Sequence, residues 1–396
     1  MNNKNLPKCR AVISFHETLP CYQTESLKKY LLDKYRADIL FIGHPLLDIE
    51  ESYQRTSRYE YYRNNRQIIS KNAFHWNFAK PLLYVKDMIY TCLWCLKYKG
   101  VWDIFFGVDN ISVLVALFLK RVGKVNKVIY HTIDYYPTRF QNKLLNWLYF
   151  QFDKICVRYA DETWNVGSMM ADARKRKMGM KGKDYSRQYI VPMCVWVNKV
   201  KRKPFSKINK RKIVYRGSLI DFLGVDLIIK AMPLIIKTIP DVVLEIFGDG
   251  IERKSLEEES RRLKMDKYVK FYGWIRDRQE LERLMSDGAV GIAAFNTKIL
   301  DDTVKNADPS KIKDYTLMGM PVITTKALST YKEIEKYRCG IVIDYEVKEL
   351  ANAVIKLLSD EKLLKEYRDN ALKYISQYDC GKIFEENVGR ILARKN

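Results

Sequence analysis

A chain of 396 residues is too long for one comfortable hydrophobic core and suits two domains. Hydrophobic residues at 47% and charged residues at 30% exclude a disordered or fibrous protein, and scattered glycines and prolines exclude a collagen-like or linker-dominated one. Seventy Lys and Arg against 47 Asp and Glu leave +23, a field that draws nucleic acid, anionic lipid headgroups or phosphorylated substrates, unless it serves solubility alone.

Taken in order, the first half alternates short β-branched runs with helix-period stretches. Strands are expected near 11–15, 39–42, 104–106, 127–130, 162–166 and 189–191, and helices at 25–35, 81–97, 112–121, 140–159 and 169–178. The basic, aperiodic stretch 198–212, with VKRKPFSKINKRK at its centre, is the expected linker between domains at 1–197 and 213–396. The last helix is a candidate to pack back on the first domain. The second half restarts the pattern: strands at 213–215, 242–247, 269–271, 290–293, 322–324 and 341–343, helices at 224–238, 252–264, 279–286, 311–318 and 347–359. Repeated strand–helix–strand units specify parallel sheets with helices on both faces, whose ligands bind beyond the carboxyl ends of the strands.

Eight dispersed cysteines predict reduced thiols, not a disulfide scaffold. Cys92 and Cys95 form a lone C-x-x-C in an apolar helical run, with no second pair to complete a zinc site. The opening MNNKNLPKCRAVISF has no apolar core of signal-peptide length, and the best apolar run, 111–119, is nine residues long. A cytoplasmic protein is expected, with a peripheral seat on the inner face of a membrane as an option: 140–159 mixes aromatics, leucines and cations as an interfacial helix does, though a buried helix fits equally. The charge runs at 59–63 and 174–177 read as solvated surface.

The stretch 214–250, VYRGSLIDFLGVDLIIKAMPLIIKTIPDVVLEIFGDG, is followed by VKFYGWI at 269–275 and DPSKIKDYTLMGMPVIT at 308–324. This ordered series resembles the donor-binding domain of retaining GT-B glycosyltransferases of the family-four (group 1) type. The resemblance implies an α/β GT-B fold, two Rossmann-like domains facing across a cleft, with a nucleotide sugar as substrate and no cofactor. Carried over residue by residue, it places Arg216, Gly217, Ser218 and Gly248 at the donor phosphates. Gly273, Trp274 and Ile275 would lie at the base, Ser310, Lys311 and Ile312 at the diphosphate, and Asp314 on the ribose hydroxyls. Glycine turns and helix N-termini suit that chemistry because bare amides approach anions closely. Two cations usual in the family are replaced by Ser218 and Leu223, an acid by Asn306, and a glycine-rich N-terminal turn by residues 14–18. Taken singly, Ser310 is also an ordinary helix cap and Asp314 an ordinary surface acid.

In the first half, KVIYHTIDYYP at 127–137 resembles the family's strand ending in histidine with an acid soon after, and 159–168 and 190–192 match later strand ends. Cys194 stands where glycine is common. His131 is the catalytic candidate, since a histidine there can hydrogen-bond to the donor sugar in either protonation state; a strand-end histidine bonded to backbone is the competing reading. His16, Glu17 and Asp134 are candidates for donor or acceptor contact, while His44 and His75 have no pattern around them. No D-x-D triplet occurs, so no metal is expected at the diphosphate.

The resulting expectation is a hexosyltransferase that moves a sugar from a nucleoside diphosphate to a glycan or lipid-linked acceptor, with retention, in polysaccharide biosynthesis. The alternatives are a GT-B nucleotide-sugar epimerase and an inactive binding module. A nucleic-acid-binding protein is disfavoured because the cations are dispersed and no binding motif is visible.

Overall fold

A computed structural model of the chain describes residues 6–17, 22–46, 56–76, 78–133, 139–140, 142–167, 169–300 and 310–393. It divides into two compact units: residues 1–194 together with 380–396, and residues 195–379.

The first unit is built on β1 (Lys8–Glu17), β2 (Arg36–Pro45), β3 (Arg58–Arg63), β4 (Arg66–Asn72), β5 (Trp102–Gly107), β6 (Val125–Thr132), β7 (Glu162–Asn165) and β8 (Arg187–Ile190). They form one sheet in the order β4-β3-β2-β1-β5-β6-β7-β8. From β2 to β8 the pairing is parallel, and the central strands are buried on both faces, as crossover helices require. The far edge differs from the parallel expectation, because β3 and β4 are an antiparallel hairpin laid on β2. Asn64 and Asn65 turn it with φ of 47° and 69°, left-handed values that asparagine tolerates and two-residue hairpins require. Alternate residues Tyr59 and Tyr61 are buried in what read as a solvated charge run.

Helices α1 (Tyr22–Lys34), α2 (Lys80–Lys97), α3 (Asn110–Arg121), α4 (Lys143–Tyr159) and α5 (Met169–Met178) connect these strands. α3 starts where Asp109 accepts from the Ser112 amide at 2.8 Å, and α4 where Asn142 accepts from Leu144 at 2.9 Å. α5 corrects a second surface reading. Arg174 is fully buried, with Nε 2.7 Å from Asp153 and Nη1 donating to Asn165 at 2.8 Å, because a buried guanidinium persists only when paired and fully hydrogen-bonded.

The chain returns to this unit at Cys380, through α13 (Cys380–Phe384) and α14 (Arg390–Ala393). Tyr30 donates to Glu385 at 3.1 Å and Arg390 Nη2 to Glu162 at 2.9 Å. Cys194 and Cys380 are bonded as a disulfide with Cα atoms 4.9 Å apart, against the expectation of thiols throughout. They are the residues at which the chain leaves and re-enters the unit, so folding brings together cysteines 186 positions apart.

The second unit carries β9 (Lys212–Arg216), β10 (Val243–Phe247), β11 (Val269–Gly273), β12 (Val290–Ala293), β13 (Val322–Thr325) and β14 (Gly340–Ile343), all parallel. Their order, β11-β10-β9-β12-β13-β14, is that of doubly wound dinucleotide-binding sheets, with the switch point beside β9. The helices are α6 (Val225–Thr238), α7 (Arg253–Arg262), α8 (Arg278–Met285), α9 (Ser310–Leu317), α10 (Tyr331–Tyr337), α11 (Val347–Ser359) and α12 (Glu361–Ile375). The last begins where Asp360 accepts from Leu363 at 3.0 Å; the helices bounded from the sequence stop at 359.

The stretch 198–212 belongs to this unit instead of joining two. Arg202 donates to the carbonyls of Val197 and Leu317, Lys203 Nζ reaches Asp287 at 3.0 Å, and Lys212 Nζ reaches the same carboxylate at 2.8 Å. These three cations tie the stretch to the unit. Among the described residues, no helix is long and apolar enough to cross a membrane.

Candidate functional site

At the carboxyl edge of the second sheet three glycine turns stand side by side. β9 ends in Arg216 and the chain turns at Gly217, where φ is +143°. Gly217 donates to the Phe247 carbonyl at 3.0 Å and Leu219 to that of Asp249 at 2.9 Å, so the turns after β9 and β10 are pressed together. A Cβ on Gly248 would lie 1.8 Å from the Gly217 oxygen, which admits no side chain. Gly273, with φ +74°, ends β11 and bridges to Gly248. Beyond it Trp274 is exposed and Ile275 half-buried, so an aromatic surface stands open where the resemblance expects a base.

α9 adds the charged groups. Asp314, 4% exposed, has Oδ1 2.6 Å from Arg278 Nη2 and Oδ2 3.2 Å from Arg216 Nη1. Burial favours its neutral form, but Arg278 and Arg216 outweigh that and hold its carboxyl below the usual range. Arg216 also donates to Ser310 Oγ at 3.1 Å, and its own amide donates to Tyr315 Oη at 2.7 Å. Tyr315 in turn donates to the Ile292 carbonyl at 3.1 Å, anchoring α9 beneath β9 and β12. Lys311 is buried, its Nζ 3.3 Å from Tyr215 Oη and 4.8 and 5.1 Å from the rings of Tyr215 and Phe295. It lies under the glycine turn, 3.2 Å from where a Gly217 Cβ would be. Burial, helped by nearby Arg216, lowers its pKa to about 7.

The structure therefore brings Arg216, Gly217, Ser310, Lys311 and Asp314 to one place. Ile312 is 1% exposed, so only its backbone remains to meet a ligand. Ser218 offers its carbonyl to Tyr215 Oη at 2.8 Å, and half-buried Leu223 packs on the core. Arg278 is the residue sequence reasoning missed: its 2.7 Å pair with Glu282 one turn on has the spacing of an ordinary surface ion pair. Two guanidiniums on one carboxylate, with a partly charged ammonium under the adjoining Gly217 turn, make an anion-receptive edge.

The first unit's carboxyl edge is arranged differently. His131 lies near the end of β6, 1% exposed and edge-on to Trp164 with ring centroids 5.5 Å apart. Burial lowers its pKa to about 4 despite a hydrogen bond with the Val191 backbone, so the imidazole is neutral at pH 7. Its Nε2 has no hydrogen-bond partner among the described residues. Glu17 is the last residue of β1, and Asp134 lies outside the described residues.

His16 is committed on both nitrogens, Nδ1 3.0 Å from Asp109 and Nε2 3.3 Å from Asp87. Burial lowers its pKa, yet the carboxylates of Asp109 and Asp87 prevail and raise it to about 9. His44 approaches the other Asp87 oxygen at 3.2 Å and Thr91 at 2.7 Å, and burial makes it a weaker base than usual. Ser57 donates to Asp87 at 2.7 Å and Lys86 reaches it at 2.8 Å. Asp87 and Asp109 escaped the sequence reading, and His44 was set aside in it; the available signal was Asp87 itself, the sole acid in the apolar helical run 81–97.

Residues 197–374 match the model of the family described as Glycosyl transferases group 1. A poly(glycerol-phosphate) alpha-glucosyltransferase of Bacillus subtilis is 25% identical over 153 residues, which are 38% of this chain and 21% of that protein. The chain thus aligns with about a fifth of that curated relative's length. Among solved structures, Anabaena HepE in complex with UDP superposes with a TM-score of 0.67 at 16% identity, covering 97% of this chain and 100% of that one. A variant of S. aureus TarM in complex with fondaparinux, alpha-GlcNAc-glycerol and UDP superposes at 0.57 with 12% identity, covering 85% and 67%. Residues 197–374 therefore carry a glycosyl transferases group 1 domain, and the chain has the fold of GT-B proteins.

Proposed function

We propose that the chain transfers a hexosyl group from a uridine-diphosphate sugar to a hydroxyl of a glycan, polyol-phosphate or lipid-linked acceptor, with retention and without a metal. The observation that carries this is Lys311, an ammonium without a carboxylate partner among the described residues, buried under the Gly217 turn beside Arg216. A diphosphate at that turn meets backbone amides and fixed cations where charge develops as the bond from the anomeric carbon to the phosphate oxygen breaks. The acceptor oxygen bonds to the same carbon on the same face, and its proton passes to the departing phosphate. Asp314 is the group for the ribose hydroxyls, and Trp274 and Ile275 line the place for the base. Neutral His131, with Nε2 unpartnered among the described residues, is the proposed hydrogen-bond partner of the donor sugar.

The uridine base is proposed because HepE and TarM are both described with UDP, and the polyol-phosphate acceptor because of the Bacillus relative. A lipid-linked acceptor accords with the +23 charge and a peripheral place on an anionic membrane. Calorimetry of the purified chain against UDP, GDP and ADP in metal-free buffer tests the donor site. Micromolar UDP binding is expected, with loss of about tenfold or more in Lys311→Ala; no nucleotide binding, or binding indifferent to Lys311→Ala and Asp314→Ala, overturns it.

A further inference from the structure

Helix α2 is apolar on both its inward and its outward side. Leu83, Asp87, Thr91 and Cys95, four residues apart, are 3% exposed or less. This inward stripe carries the acid that holds His16 and His44. Leu82, Val85, Ile89, Leu93 and Leu96, at steps of three and four, are all between 42 and 56% exposed. At about 100° per residue, the outward five fall in an arc roughly 80° wide, centred opposite the buried four. The preceding segment sets aromatics against the side of the helix. Phe74, Trp76 and Phe78 are exposed, and Trp76 donates to Tyr90 of α2 at 2.9 Å. A continuous apolar ridge flanked by aromatics is more than scattered surface leucines, and such patches mark interaction surfaces.

Charge selects what covers it. Residues 61–100 contain seven Lys and Arg and one acid, Asp87, which is wholly buried. Lys97, exposed on α2 itself, donates to the Tyr59 hydroxyl at 2.9 Å and flanks the ridge. A second copy seated on this face would set cations against cations. An anionic bilayer accepts the apolar stripe at its acyl boundary and the lysines among its headgroups. We propose that the outer face of α2, with the exposed Phe74, Trp76 and Phe78, is a docking surface for an anionic membrane. This assignment is independent of the nucleotide-site reading, and it rests on a different helix from α4, whose exposed Leu144 and Trp147 are the competing membrane face.

The test is cosedimentation of the full chain with vesicles of phosphatidylcholine alone and with about a third phosphatidylglycerol. Binding is expected to the mixed vesicles only, and to weaken about tenfold in Ile89→Ser/Leu93→Ser, whose side chains point away from the core. Leu144→Ser/Trp147→Ser should bind as the unaltered chain does. Melting temperature and UDP calorimetry on each variant keep a folding defect, or failure of the donor site, apart from loss of docking. The proposal is overturned if the chain ignores anionic vesicles or if the α2 variant binds undiminished. It is equally overturned if the α4 variant is the one that loses binding, or if ultracentrifugation shows a dimer that Ile89→Ser/Leu93→Ser dissociates.

Discussion

At the carboxyl edge of the first sheet, His16 and His44 share Asp87, His16 also takes Asp109, and Lys86 closes the set. At the same edge of the second sheet, Arg216 and Arg278 converge on Asp314, while Lys311 is ion-paired with no carboxylate among the described residues. The two edges show what pairing does to a perturbed group. Asp87 is fully buried and each partner is committed, so its depressed pKa records structural work. Lys311 is also buried, but among the described residues it meets only rings and a phenol, and burial beside Arg216 lowers its pKa. Perturbation alone marks a candidate, and the absent partner turns the candidate toward a ligand.

The largest effect that would break this contrast is on stability. Asp87→Ala leaves His16 and Lys86 without their buried partner and is expected to cost about 3–5 kcal/mol in urea unfolding; a loss below ~1 kcal/mol would remove the structural reading of the first edge. Asp314→Asn should act on affinity instead. Arg216 and Arg278 remain 23% and 29% exposed, so water can replace the carboxylate, and folding should suffer less than in Asp87→Ala. UDP binding is expected to weaken by about 2 kcal/mol, roughly thirtyfold, by calorimetry. Gly217→Ala puts a methyl 3.2 Å from Lys311 Nζ at a φ of +143°, with an expected affinity loss of about 1–2 kcal/mol.

The smallest effects are those of pH, and they read out on different observables. Lys311 titrates near 7 in the free chain, and a bound diphosphate favours its charged form. UDP affinity should therefore fall as pH rises from 7 toward 9, with binding taking up no more than about one proton, seen in buffers of different ionisation enthalpy. His16 goes from 6.5 when unfolded to about 9 when folded. Its contribution is fully present below 6.5 and is lost as pH rises through about 9, a slope in the urea midpoint that His16→Gln should remove.

Much of the second unit was legible because its signals are local. Each glycine turn needs its own conformation, each buried strand is a short apolar run, and the series from 214 to 324 keeps the order of the sheet's carboxyl edge. Ser310, Lys311 and Asp314 were singled out because they stand together in the DPSKIKDY stretch that carries the resemblance. Arg278 was not, since nothing within its own neighbourhood distinguishes a site arginine from half of a surface pair. The hairpin at 58–72 was overlooked although Asn64-Asn65 marked its turn. Arg174 was misread because a run of four cations carries no indication of which one finds Asp153.

Sequence alone determined the two alternating α/β halves, the glycine turns and the family resemblance, because hydrophobic period and backbone conformation are properties of neighbouring residues. Tertiary structure decided that residues 198–212 belong to the second unit, that 380–396 return to the first, and that Cys194 meets Cys380. It also decided that His16 is spent on two carboxylates and that Asp87 of α2 faces inward while Leu82, Val85, Ile89, Leu93 and Leu96 stay exposed. Burial and pairing depend on partners tens to hundreds of residues away, and the period of a helix says which residues share a face without saying which face is covered.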